Sequence, residues 1–254
     1  MKTSAKKTIL KNSAKSLLAG KYSACLMALL FFAMISFLLN RFSINLTKIV
    51  CINLIGTFQV AENGMFIMIL SYAIPFLMSV IAGVLQFGLC LFFLNVATGR
   101  HFYSSDVLYG FVHDFKKSLS ISFAYTLLSF LCLLPSDVLL DAYQGSLLLN
   151  STEIGALVLL QILTFLLYLP ISLSLSQIYF LALDYPELSA KETLLLSMKI
   201  MKGKKKQLFL IQLSFLPLYL LGALSFGVGF LWIIPYQRMT LTLYYLDIMK
   251  PQDH

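Results

Sequence analysis

Arg238 is the one formal charge set well inside an apolar run of this chain, and its planar guanidinium can grip a carboxylate or a phosphate with two parallel donors. A charge at the centre of a spanning helix costs about 2.5–3.5 kcal/mol on insertion scales, so it must snorkel, pair or face water. Two roles fit Arg238. It pairs with Asp184, at the cytoplasmic end of the fourth apolar run, or it captures an anionic group. A second candidate is a polar stripe in that fourth run. Gln161, Tyr168, Ser172, Ser176 and Tyr179 fall within about 80° of one helical face. Pro170 lies among them and is expected to open the backbone. The stripe is either the wall of a polar cavity or a line of interhelical hydrogen bonds, each worth about 0.6 kcal/mol. Ser79, Ala82, Gly83, Gln86 and Cys90 share a face of the second run and read as a packing surface, because small residues four apart allow close backbone approach.

Familiar catalytic arrangements do not occur. There is no His-Glu-x-x-His, no Gly-x-Ser-x-Gly and no Walker A sequence. His101 and His113 lack a metal-ligand pattern, and Asp137 with Asp141 makes a poor cation site by itself. Cys25, Cys90 and Cys132 lie in apolar runs and Cys51 has no partner on its side, so neither a disulfide framework nor zinc is indicated. The expectation is a chain without enzymatic activity, metal or cofactor.

These residues need helices in a membrane to hold them. Of 254 residues, 59% are hydrophobic and 12% are charged, about half the usual charged share. Mean hydropathy is +0.85. Several apolar runs exceed the roughly 18 residues that mark a spanning helix. The reading is all-α: a polytopic transmembrane bundle in one integral membrane domain. Its six spans are Tyr22–Leu39, Ala73–Ala97, Ser118–Pro135, Ile154–Leu183, Gln207–Leu224 and Val228–Leu246. The path of residues 40–72 stays open, as a kinked long helix or a re-entrant approach. Seventeen of the nineteen Lys and Arg residues fall on one side of this arrangement, leaving Arg41 and Lys48 on the other. Basic residues near span ends stay cytoplasmic, so both termini are expected inside. The basic start followed by an apolar run reads as a retained span, because no small-x-small cleavage site follows.

Three segments on the basic side show helical amphipathicity and are expected to lie in the membrane plane: Ser4–Gly20, Ser104–Lys116 and Ser189–Lys202. The middle one groups Val107, Leu108, Phe111, Val112 and Phe115. The last opens with a capping box, Ser189 to Glu192. Each precedes an odd-numbered span, which suggests a threefold internal repeat of short helix, span and return span. Gly20-Lys21 and Gly203-Lys204 echo one another; the middle unit lacks that pair. A net charge of +8 then points to anionic lipid headgroups rather than nucleic acid, with Lys204, Lys205 and Lys206 as headgroup contacts.

The run Asp184-Tyr185-Pro186, Ser189, Glu192, Leu194, Ser197, Met201, Lys202 and Gly203 continues through Phe209, Ser214-Phe215, Gly227-Val228-Gly229, Pro235-Tyr236, Thr240 and Tyr244. Over roughly 178–246 this pattern resembles domain-of-unknown-function family 975; the N-terminal half fits in outline. Pro217 stands where that family often has Trp after its Ser-Phe motif. The resemblance implies a multi-span protein of a bacterial, largely Gram-positive, cytoplasmic membrane, and no catalytic residues. The expected role is a non-enzymatic membrane component that binds lipid or a membrane-protein partner. The alternative is a transporter or permease for a small amphiphilic or anionic substrate.

Overall fold

The computed structural model describes residues 2–57, 60–143 and 150–250, and every regular element among them is a helix. In chain order these are α1 (Lys2–Leu18), α2 (Tyr22–Thr57), α3 (Val60–Thr98), a 3₁₀ turn (Ser104–Leu108), α4 (Tyr109–Val112), α5 (Phe115–Tyr143) and α6 (Ser151–Leu175). Then come α7 (Ile178–Asp184), α8 (Ala190–Ile200), α9 (Lys205–Leu213), α10 (Leu216–Leu224) and α11 (Phe230–Met249). Five stretches are long and apolar enough to cross a membrane: Tyr22–Val50, Met68–Thr98, Phe115–Leu140, Thr152–Asp184 and Lys205–Leu224. Helices suit this setting because every backbone group is paired within the segment. The expected sixth span falls in α11. Its 20 residues reach about 30 Å, but Gln237, Arg238 and Asp247 interrupt its apolar run and it is not among the five. The first span is longer than expected. The described parts of 40–72 continue α2 and α3 as helix, with no re-entrant turn in them.

The threefold organisation is visible in burial. Gly20 and Gly203 take φ values of +79° and +80°, where a side chain would be strained, and each sits in the turn between one helix and the next, α1 to α2 and α8 to α9. His113 holds the same place between α4 and α5. Six residues before these three stand Ala14, Val107 and Ser197. Five after stand Cys25, Ser118 and Leu208, and eight after stand Ala28, Ile121 and Ile211. All nine are completely buried.

The units close into a ring. Each return helix meets the next outgoing one: α3 meets α5, α6 meets α9, and α11 meets α2. Each return helix also carries the next short segment: α3 carries 104–112, α7 carries α8, and α11 carries α1. The fit on α3 is tight, since a Cβ at Gly88 would stand 2.1 Å from the Val107 carbonyl oxygen. Ser197 Oγ donates to the Ser174 carbonyl at 2.8 Å. On the α1 side, Lys11 Nζ donates to the Ser214 carbonyl at 3.0 Å, at the break between α9 and α10, and lies over the Phe215 ring. Burial there, with Lys7 and Lys15 nearby, lowers the pKa of Lys11.

One face of each short helix therefore turns to protein, while Ile9 of α1 and Leu195 and Met198 of α8 stay exposed. Leu10, Ala14 and Leu18 of α1 are buried, as are Thr193, Ser197 and Met201 at the end of the third unit's segment. In the middle segment Val107 is buried, while Val112 and Phe115 stay exposed. In one half of the bundle α3, α7 and α11 meet. Phe87 packs edge-on to Tyr179, Phe180 stacks on Tyr245 with centroids 4.9 Å apart, and Met239 joins Leu89, Phe92 and Phe93.

Candidate functional site

Beyond that aromatic contact, a cavity of about 990 Å³ lies between α3, α5 and α6, with Gln212 of α9 and Arg238 and Leu241 of α11 at one end. Its wall follows α3 from Gln86 to Ser71 and α5 from Tyr125 to Leu140. Each run is about 15 residues, or roughly 22 Å of helix. A second cavity of about 70 Å³ adjoins it. Gln86, Ser176, Tyr179, Gln212 and Arg238 line both, so the guanidinium stands where the two meet.

Breaks in the helices place these groups. The opening expected at Pro170 occurs six residues later, between α6 and α7, at Ser176 and Gln177. The α-helix passes through Pro170, and Ser174 Oγ donates to its carbonyl. At the break, side chains take over the carbonyls the helix releases. Ser176 Oγ donates to Leu173 O at 2.9 Å, and Ser197 reaches Ser174 O from α8. Gln177 Nε2 donates to Ser176 Oγ at 3.0 Å.

Four of the five stripe residues, Tyr168, Ser172, Ser176 and Tyr179, line the cavity. Gln161 is exposed and is not in its wall. The face of the second span read as packing also lines it through Ser79, Ala82, Gly83 and Gln86. Gly83 does both, since a Cβ there would come within 2.8 Å of Ser122 Cβ and 3.1 Å of Tyr179 Oη. Cys90 lines the smaller cavity.

Asp184 and Arg238 are not brought together as an ion pair. The hydroxyl of Tyr245 donates to Asp184 Oδ2, and Tyr245 follows Arg238 by seven residues on the same helix, about 10 Å further along it. Asp184 does tie α7 to α11, but through a tyrosine. Seven residues is close to two helical turns, so Arg238 and Tyr245 share a face, and periodicity alone could not choose between them. Among the described residues the Arg238 guanidinium makes no ion pair and no hydrogen bond.

The three lysines divide. Lys204 Nζ donates to the Ile248 carbonyl at 3.4 Å, near the C-terminus of α11, where a cation is favoured, and its own carbonyl accepts from Tyr244 at 3.1 Å. Lys205 is half-buried and Lys206 is exposed. Among the described residues no three of His, Cys, Asp and Glu gather as metal ligands. The side chains of Asp141 and Cys51 lie outside the described ones.

The family described as "Protein of unknown function (DUF975)" matches residues 1–252. No curated protein and no solved structure matches the chain.

Proposed function

We propose, for a chain that belongs to the DUF975 family of proteins of unknown function, that it is a non-enzymatic, amphiphile-binding component of the bacterial cytoplasmic membrane. The observation that carries this reading is the 990 Å³ cavity between apolar helices long enough to span. That volume is at the upper end of small-molecule sites, which join apolar walls to a few convergent polar groups. Here Phe76, Phe130, Leu133 and Leu140 supply apolar wall, while Gln86, Gln212, Ser176 and Arg238 gather at the inner end. In this reading α11 is a sixth span. It tolerates Gln237 and Arg238 because its neighbours in the bundle, rather than lipid, cover much of it. Both termini are cytoplasmic, and exposed Lys206 faces anionic headgroups.

Lipids extracted from the purified protein test the reading. Ser172→Leu combined with Ser79→Phe fills the cavity from two walls and should remove the co-purifying amphiphile while the protein stays folded. Equal lipid content in both proteins defeats it. Labelling of an introduced cysteine at Lys206 from outside the cell would overturn the topology.

Transport is the second reading, favoured by the broken α6–α7 helix beside the cavity and by the repeated units, both frequent in transporters. Flux of a bound amphiphile in reconstituted vesicles, abolished by the same double substitution, would establish it. Binding without flux would leave the first reading alone.

A further inference from the structure

We propose that the inner end of the cavity is an oxyanion site, in which Arg238 takes the phosphate of a phospholipid headgroup or a free phosphate of the same chemistry. This rests on the cavity reading above and names what the cavity selects. The argument starts from the state of the charge. Arg238 lines both cavities, and among the described residues its guanidinium has neither an ion-pair partner nor a hydrogen-bond partner. The carboxylate best placed in sequence, Asp184, is engaged by Tyr245 about 10 Å along α11.

The surroundings are those of an anion rather than a cation. Gln86, Gln212 and Tyr179 are neutral groups that can donate, and they come from three other helices of the bundle, α3, α9 and α7. Among the described residues Asp137 is the sole acid in the cavity wall. It stands on α5 twelve residues past Tyr125, roughly 18 Å towards the far end, and is held by a contact of its own. A guanidinium in low dielectric attracts an anion far more strongly than one in water, and its fork places two donors on two phosphate oxygens. Beyond this end the wall carries Phe76, Phe130, Leu133 and Leu140, the last three along roughly 15 Å of α5, room for part of an acyl chain lying along that helix.

The test uses the full chain, delipidated in a detergent with a neutral headgroup, and titrates phosphatidylglycerol, the phosphate-free diacylglycerol with the same acyl chains, and inorganic phosphate separately. The expected preference for phosphatidylglycerol over diacylglycerol is about tenfold or more, the usual scale of a charge-assisted pair. Arg238→Gln should reduce the preference to within about twofold. Arg238→Lys, which keeps the charge without the fork, should lose at least about threefold, and it carries the test if the Gln variant does not fold. Replacing Lys204, Lys205 and Lys206 together by Gln should leave the preference standing, because those lysines lie outside the cavity wall. Inorganic phosphate that stabilises the protein and competes with phosphatidylglycerol assigns the site to free phosphate as well; lipid binding that phosphate does not displace assigns it to the headgroup. A preference unchanged in both Arg238 variants, or abolished by the lysine substitutions alone, overturns the proposal. Equal binding of the two lipids, both blocked by Ser172→Leu with Ser79→Phe, would leave the cavity reading intact and remove only the oxyanion. Binding of neither lipid would remove both.

Discussion

Gly88→Ala should destabilise the protein through one contact, that of α3 with the 104–108 turn. A methyl at Gly88 would stand 2.1 Å from Val107 O, 2.5 Å from Val107 C and 2.6 Å from Asp106 O. Ordinary contact begins at 3.4 Å, so the shortfall is 1.3 Å, and all three obstacles are backbone. No rotamer change relieves it; the turn must move away from α3. Val107, which is fully buried on α3, would move with it. Overpacking of this kind costs about 1–3 kcal/mol, occasionally more. At about 2–4 °C per kcal/mol for a chain of this size, the melting temperature in detergent should fall by roughly 2–12 °C. Gly155→Ala is the control, because nothing lies within 4 Å of a Cβ there and the site is helical. It should be neutral or raise stability by about 0.5–1 kcal/mol. If Gly88→Ala melts with the wild type, the short segment is not seated on α3 as described, and the ring of three units loses its best-defined contact.

Tyr245→Phe removes the hydroxyl that Asp184 accepts from and, because Asp184 itself is exposed, should cost about 0.5–1.5 kcal/mol, read as a fall in melting temperature; Asp184→Asn on top of it should add little. Arg238→Leu and Asp184→Asn should instead be additive within about 0.5 kcal/mol, and strong coupling in a double-mutant cycle would restore the ion pair that the contacts of Asp184 argue against. Glu192 has its pKa lowered by hydrogen bonds from the Ser189 backbone and hydroxyl. Its folded pKa lies below its unfolded value of about 4.3, so its contribution is present above that value and is lost as pH falls through the folded one. Melting curves of wild type and Glu192→Gln should therefore converge on acidification; a constant gap from pH 6 to pH 3 would show that the capping box does not titrate with the fold.

The outer helices were legible because lipid-facing helices must be apolar, and five of the six expected spans fall in long apolar helices. Their ends were harder, since α2 runs on to Thr57 through Arg41 and Lys48 with no turn signal. The last helix was the difficult one. Its polar residues lower its hydropathy because it packs inside, with Met239, Thr240, Tyr244 and Tyr245 buried by other helices. Periodicity found the short helices, but an apolar face looks the same whether it meets lipid or protein, and Ala14 and Ser197 meet protein. The Gly20–Gly203 echo pointed to the repeat; the middle unit hid it by placing His113 at that turn. The same limit acted at the site. Spacing put Tyr168, Ser172, Ser176 and Tyr179 on one face, and equally Ser79 and Gln86, but whether two such faces touch or stand apart is set by the third helix between them. Tyr245 was missed because its neighbour on that face carries the charge.

An experimental density map of the full chain in a lipid nanodisc bears most directly on the central claim, that the cavity beside Arg238 is an amphiphile site. The account predicts elongated density along α3 and α5, with its head within hydrogen-bond reach, about 3 Å, of the Arg238 guanidinium. A bundle in which α3, α5 and α6 close on one another with no space between them, or an Arg238 paired to Asp184, would contradict it.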